Sequence, residues 1–158
     1  MNINIRNAEI RDYEDLCVIY EELDTYHRTN HPELFIKPEE ASRAKEYILE
    51  LLADEDSALF VAEAETGVVG FAECYVQRSS SFPVIRKRAW VQLDNISVKK
   101  EYQHCHIGSM LLSRVKEWAG EKGLDRIELK VYAFNKNAQD FYAGKGFQDL
   151  NKTMFLNL

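Results

Sequence analysis

The chain has 158 residues, 46% hydrophobic and 29% charged, with a net charge of −6 at pH 7. That length suits one domain with a core of its own, and the composition is that of an ordinary globular protein. The charge argues against a general nucleic-acid binder, which needs a basic face, and no apolar run approaches the roughly 20 residues of a membrane span.

From the N-terminus, "MNINIRNAEIRDYEDL" lacks the basic-then-apolar pattern of a signal peptide, so a cytoplasmic location is expected. Ile3 and Ile5 alternate with polar residues, which predicts a short first strand. Asp12 can cap a helix whose apolar face holds Leu16, Ile19, Tyr20 and Leu23. That helix should end at His31-Pro32, because the residue before a proline is pushed out of the helical region. A second helix is predicted to open near Pro38, with Ala41, Ala44, Ile48, Leu51 and Leu52 on one side.

A β-rich middle follows. "SALFVAEAE" and "VVGFAECYVQ" meet across "TG" as a hairpin, "RSSSFPVIRKR" reads as a polar loop, and "AWVQLDNISVKK" as a long strand. Ile107, Leu111, Val115 and Trp118 then mark a buried helical stripe, closed by Gly120 and Gly123. "DRIELKVYA" alternates as a strand, "NKNAQDFYAG" reads as a short helix, and a final strand is predicted from Phe147. The order β-α-α-β-β-β-α-β-α-β implies an α/β fold. Its sheet would be mixed and mostly antiparallel, with helices on both faces. Without repeats or linkers, residues 1–158 read as a single domain. The three cysteines, Cys17, Cys74 and Cys105, show no C-x-x-C pairing and read as reduced thiols.

One stretch raises a chemical question. "EYQHCHIGSMLL" joins the long strand to the striped helix, a place where free N–H groups can face an anion. Residues 103–109 would supply those donors, and the helix dipole would favour the negative charge. The bland alternative is a helix start with no ligand. A metal site is not expected, since His104 and His106 are too close in sequence and zinc needs three or four ligands. His27 and His31 have helical spacing, but nothing brings them to His104.

Two segments, in this order, resemble the GNAT superfamily of acyl-CoA N-acetyltransferases. "LDNISVKKEYQHCHIGSMLL" is similar to that family's strand, pyrophosphate loop and helix, with core pattern Q/R-x-x-G-x-G/A. It matches at Gln103 and Gly108 and departs at His106, where the family usually has glycine. "NKNAQDFYAGKGF" matches N-x-x-A-x-x-F-Y-x-x-x-G-F at Asn135, Ala138, Phe141, Tyr142, Gly146 and Phe147. The resemblance implies acetyl-CoA as cosubstrate and an amine as acceptor. Ile96, Ser97 and Val98 would pair their backbone with the pantetheine arm. Gln103, His104, Cys105, His106, Ile107, Gly108 and Ser109 would cradle the pyrophosphate, with Asn135 and Ala138 alongside. A histidine at 106 can serve if its φ stays negative and its side chain points away.

N-acetyl transfer needs a neutral amine, a polarised thioester carbonyl and a proton for the departing thiolate. The resemblance assigns the proton to Tyr142, a phenol able to donate it. For the base, the two-residue period puts Gln92, Asp94, Ile96 and Val98 on one face, so Asp94 would look into the cofactor cleft. Glu73, on the preceding strand, is the other carboxylate expected nearby. Some family members carry a glutamate near the position of Gln92 and others near Lys130, and this sequence has neither. Tyr26, His27, His31 and Phe35, between the first two helices, are the expected substrate contacts, either holding a cation or packing the loop. The reading is thus an N-acetyltransferase acting on a small metabolite amine or a protein or peptide amine. The alternative is a non-catalytic acyl-CoA-binding module of the same fold. The resemblance also admits a homodimer.

Overall fold

The computed structural model of the chain describes residues 2–158. One five-stranded sheet runs in the order β1 (Asn4–Asn7), β2 (Ser57–Ala64), β3 (Gly67–Arg78), β4 (Ala89–Val98) and β5 (Ile127–Leu129). The first four strands pair antiparallel, while β5 joins β4 in parallel. Four α-helices flank the sheet: α1 (Tyr13–Asn30), α2 (Lys45–Ala53), α3 (Ile107–Glu121) and α4 (Lys136–Gly144). A parallel pair needs a crossover connection, and α3 supplies it between β4 and β5. This is the mixed, mostly antiparallel sheet covered on both faces that the element order predicts.

Strand alternation divides the core in two. Leu59, Val61 and Phe71 point to one face, where Leu16, Ile19 and Tyr20 of α1 and Ile48 of α2 close over them. Phe60, Ala62, Ala72, Val91 and Leu93 point to the other, against Ile107, Leu111, Val115 and Trp118 of α3 and Tyr142 of α4. Both helical stripes are the ones the 3.6-residue period picks out. Between β2 and β3 the chain turns at Gly67, whose φ is +115°, and Asp15 Oδ2 lies 2.7 Å from where a β-carbon would sit. That carboxylate accepts the Val68 N–H at 2.9 Å, so the hairpin turn is tied to α1 and only glycine fits it.

Several expectations are corrected. Asp12 precedes α1 but makes no capping bond to it. Instead its carboxylate accepts from both Arg6 Nη atoms and from the Glu9 N–H, each at 2.8 Å. The second helix starts at Lys45, not near Pro38. Arg43 is held there by Asp24 at 3.0 Å and by the face of Tyr20, 4.5 Å away, while its carbonyl accepts the Tyr13 hydroxyl. Those anchors keep residues 32–44 irregular. No strand forms after Phe147: the tail is exposed, with Met154 at 83% and Phe155 at 80%. β5 is only three residues long and gives such a strand little edge to pair with.

Candidate functional site

The sheet opens where β4 and β5 part. Their pairing covers only Val91–Leu93 against Ile127–Leu129, yet β4 continues to Val98. From Asp94 onward, one edge of β4 therefore has no strand beside it. An unpaired edge presents N–H and C=O groups in the register of a strand, ready for an extended, amide-bearing ligand. Ile96, Ser97 and Val98 lie on this edge.

At the same place the β3–β4 ladder carries a bulge. Glu73 faces Asn95 while Cys74 faces Leu93, so Asp94 is the extra residue. This overturns the two-residue period used to read the strand. Ile96 and Val98 pack with Val91 and Leu93 on the α3 side. Asp94 and Asn95 instead turn together toward Glu73, with an Asn95 Nδ2–Asp94 Oδ2 hydrogen bond of 3.0 Å. A bulge re-aims side chains in this way, and nothing in the alternation of apolar residues announces it.

Two carboxylates thus meet on the α1–α2 side, in different states. Glu73 is 2% exposed and accepts hydrogen bonds from Tyr20 Oη at 2.7 Å and from Tyr47 Oη. Burial first, and Glu73 second, hold the Tyr20 phenol protonated well above its ordinary range. Asp94 reaches solvent but is hemmed in by protein on its other side. That partial burial, followed by the nearby charge of Glu73, raises its carboxyl pKa above the ordinary value.

Beyond the open edge, the chain turns through Lys100–Tyr102 into the loop before α3. Gln103 braces the loop, its side-chain amide donating to the Val98 carbonyl at 3.1 Å. His104 and His106 have φ of +63° and +62°, with Cys105 between them outside the left-handed region. The negative φ expected at His106 is thereby corrected. Alternating left-handed residues turn successive N–H groups toward one concave side, a natural anion nest, and histidine tolerates that region better than most residues. The first bond of the helix is Met110 N–H to His106 C=O at 3.1 Å. Ahead of it, the N–H groups from His104 to Ser109 have no protein acceptor among the described residues.

From α4, Tyr142 reaches into the α3 side of the core and is 9% exposed. Burial is the one influence on its phenol and pushes the pKa up. Asn135 caps α4, its Oδ1 accepting the Ala138 N–H at 3.1 Å. The cap uses the oxygen and leaves Nδ2 available. Ala138 packs against the same core as Tyr142.

Tyr26, His27, His31 and Phe35 do come together. Their rings gather with Tyr132 and Phe134, which follow β5: His27 lies 5.5 Å from both Phe35 and Tyr132, and His31 lies 5.2 Å from Phe134. His27 Nδ1 donates to the Leu23 carbonyl at 2.9 Å, and His31 Nδ1 pairs with Glu33 at 2.6 Å. The rings mostly contact one another, so the cluster clamps the end of α1 to the segment after β5. Tyr26 and Tyr132 keep outward surface, at 42% and 41% exposed. Among the described residues no cluster of His, Cys, Asp or Glu is placed to hold a metal ion, and no helix is long and apolar enough to cross a membrane.

Over residues 16–147 the sequence matches the acetyltransferase (GNAT) family. The chain belongs to that family. Thialysine N-epsilon-acetyltransferase of Bos taurus is 40% identical to it over 62 residues, covering 39% of this chain and 36% of that one. An uncharacterized N-acetyltransferase of Methanocaldococcus jannaschii, MJ1207, is 30% identical over 106 residues, covering 67% and 46%. The chain thus spans less than half the length of both curated relatives. A mutant of the BH1408 protein from Bacillus halodurans shares the fold, with a TM-score of 0.92 at 22% identity over 98% of this chain and 99% of that one.

In this GNAT chain the sequence reading missed a cavity of about 380 Å³ on the α1–α2 side of the sheet. Tyr75, Gln77, Trp90, Gln92 and Lys130 line it, with Asp94 at its wall. Alternation along β3 and β4 does place Tyr75, Gln77 and Gln92 on one face. What it lacks is any sign that the face is left uncovered.

Proposed function

We propose that the chain transfers an acetyl group from acetyl-CoA to a primary amine by direct attack, without a covalent enzyme intermediate. One observation carries this reading: the open edge of β4 runs between a nest of free N–H groups at the start of α3 and a carboxylate of raised pKa. Each part fits a different portion of the cosubstrate or acceptor. The N–H groups of residues 104–109 suit a pyrophosphate, favoured further by the helix dipole, while the Gln103 N–H is taken by the Lys100 carbonyl at 3.3 Å and its side chain braces the loop. The backbone of Ile96, Ser97 and Val98 suits the amides of a pantetheine arm, and Asn135 Nδ2 can donate from the neighbouring element. Ala138 would form part of the same wall.

When bound, acetyl-CoA supplies the acyl group as a thioester. Asp94 holds the incoming amine, which is mostly ammonium at pH 7 because its ordinary pKa is about 10.4. An ammonium has no lone pair, so one proton first passes to the Asp94 carboxylate, directly or through water, and on to solvent. The neutral amine then attacks, and the proton its nitrogen loses as the N–C bond forms replaces the one Tyr142 gives to sulfur. A β4 backbone N–H at the open edge can face the carbonyl oxygen. Tyr142, kept protonated by burial, gives its proton to the sulfur as the C–S bond breaks. Glu73, closed off from solvent and bonded to two tyrosines, acts as a positioning residue beneath Asp94. The clamped rings of Tyr26, His27, His31 and Phe35 form the rim past which the amine enters. The reading further includes a single catalytic domain, a cytoplasmic location and pairing of two copies.

Thermal stability in the presence of acetyl-CoA, followed by thiol release with a panel of amines, tests the reading. Ligand at 100 times its dissociation constant should add about 2.7 kcal/mol. Tyr142→Phe should lower kcat about 100-fold while leaving that stabilisation intact. Stabilisation without turnover on any amine would favour the non-catalytic module, and no stabilisation would end both readings.

A further inference from the structure

The cavity beside Asp94 holds a charge pattern that the acetyl-transfer reading does not use. Four charged side chains line it: Arg78, Asp94, Glu128 and Lys130. Two of them are already satisfied. Arg78 pairs with Asp56 at 2.9 Å. Glu128 pairs with Arg88 at 2.6 Å and Arg126 at 2.7 Å, which hold its carboxyl below the ordinary range although burial alone would raise it. Asp94 and Lys130 are in no ion pair among the described residues; Asp94 has only the Asn95 amide at 3.0 Å. These two charges, of opposite sign and without an ion pair, line the same cavity, where Lys130 acts on Asp94 only through space.

The neutral groups add direction. Gln92 accepts from Trp90 Nε1 at 3.2 Å through its oxygen, so its NH₂ group remains free to donate. Ser79 and Ser80 accept the Arg88 and Phe82 N–H groups at 2.9 and 3.1 Å, and each keeps a hydroxyl proton to donate. Away from Asp94 the cavity thus offers donors, an arrangement that suits an anion. Its volume of about 380 Å³ is at the small end for ligand sites.

We propose that the acceptor is a compact zwitterion, an amino acid acetylated on its side-chain amine. Its ammonium sits at Asp94, and its carboxylate faces Lys130 and the Gln92 amide. This rests on the acetyl-transfer reading and narrows its acceptor from amines in general to amines that carry a carboxylate.

The test compares ornithine and lysine with their carboxamides and with putrescine and cadaverine, using the full chain and acetyl-CoA. At the better chain length, kcat/KM should be at least about tenfold higher for the free acid than for its amide, as expected for a charge-assisted contact. The difference should lie mainly in KM. In Lys130→Met the acid-to-amide ratio should fall toward one. Lys130 is exposed, so an unchanged melting temperature shows that the variant is folded. Equal or faster turnover of the amides and diamines, or a ratio unmoved by Lys130→Met, overturns the zwitterion while leaving acetyl transfer standing. If no amine is turned over, acetyl transfer itself fails. The cavity is then judged by melting temperature, and no stabilisation by the acid over its amide overturns the zwitterion too.

Discussion

Asp94 is the residue on which most of the proposed chemistry turns, and its position is set by one extra residue in a strand. The bulge leaves it without a partner in the β3–β4 ladder, and its carboxyl lies with Gln92 on the α1–α2 side of the sheet, under the influence of Glu73. Asp94→Asn should lower kcat/KM by about 100-fold or more, the usual worth of a general base. Where Asp94 is unprotonated it can take the proton, so the acid limb of the pH–rate profile should rise at a pKa above the ordinary carboxylate value. The sign for stability is opposite. A carboxyl whose folded pKa is raised contributes fully below its unfolded pKa and loses that contribution as pH rises through the folded one. At neutral pH Asp94 therefore weakens the fold, and Asp94→Asn should melt at the same temperature or higher. Loss of activity together with a lower melting point would point to a structural role instead.

At the scale of elements, the loop before α3 shows how a chain can form an anion nest without its usual glycine. The left-handed conformation costs an ordinary residue about 1–2 kcal/mol, less for histidine, and glycine removes the cost. His106→Gly should therefore raise stability by up to about 1 kcal/mol and leave acetyl-CoA binding unchanged or tighter, as read by chemical denaturation and by titration calorimetry. A large loss of affinity would make the imidazole itself a ligand. The elements also mark how far sequence reasoning reaches. Helices α1 and α3, the β2–β3 hairpin and the α4 motif were legible, because apolar period and turn chemistry are local signals. The start of α2 was not, since Arg43 is held by Asp24 and Tyr20, both distant in sequence. The bulge was not, since alternation says nothing about which strand carries an extra residue. The aromatic residues Tyr132 and Phe134 escaped for a similar reason: their link to His27 and His31 exists only once β5 is placed in the sheet.

For the whole molecule, the tail is the feature left without a place in the fold. Met154, Phe155 and Leu156 are each at least 80% exposed. A second copy of the chain is the partner included in the proposed reading. Light scattering should find the full chain dimeric and a chain ended at Lys152 monomeric; a monomeric full chain would remove the tail from that role.

The parting of β4 from β5 has a further consequence, for motion. Throughout most of the sheet each interior strand is locked from both sides, but β4 beyond Leu93 is locked from one. Amides from Asn95 to Val98 that face the gap should exchange with deuterium faster than those facing β3, and should slow when acetyl-CoA fills it. Strand β4 is interior up to Leu93 and an edge beyond it, so its protection there should depend on the ligand.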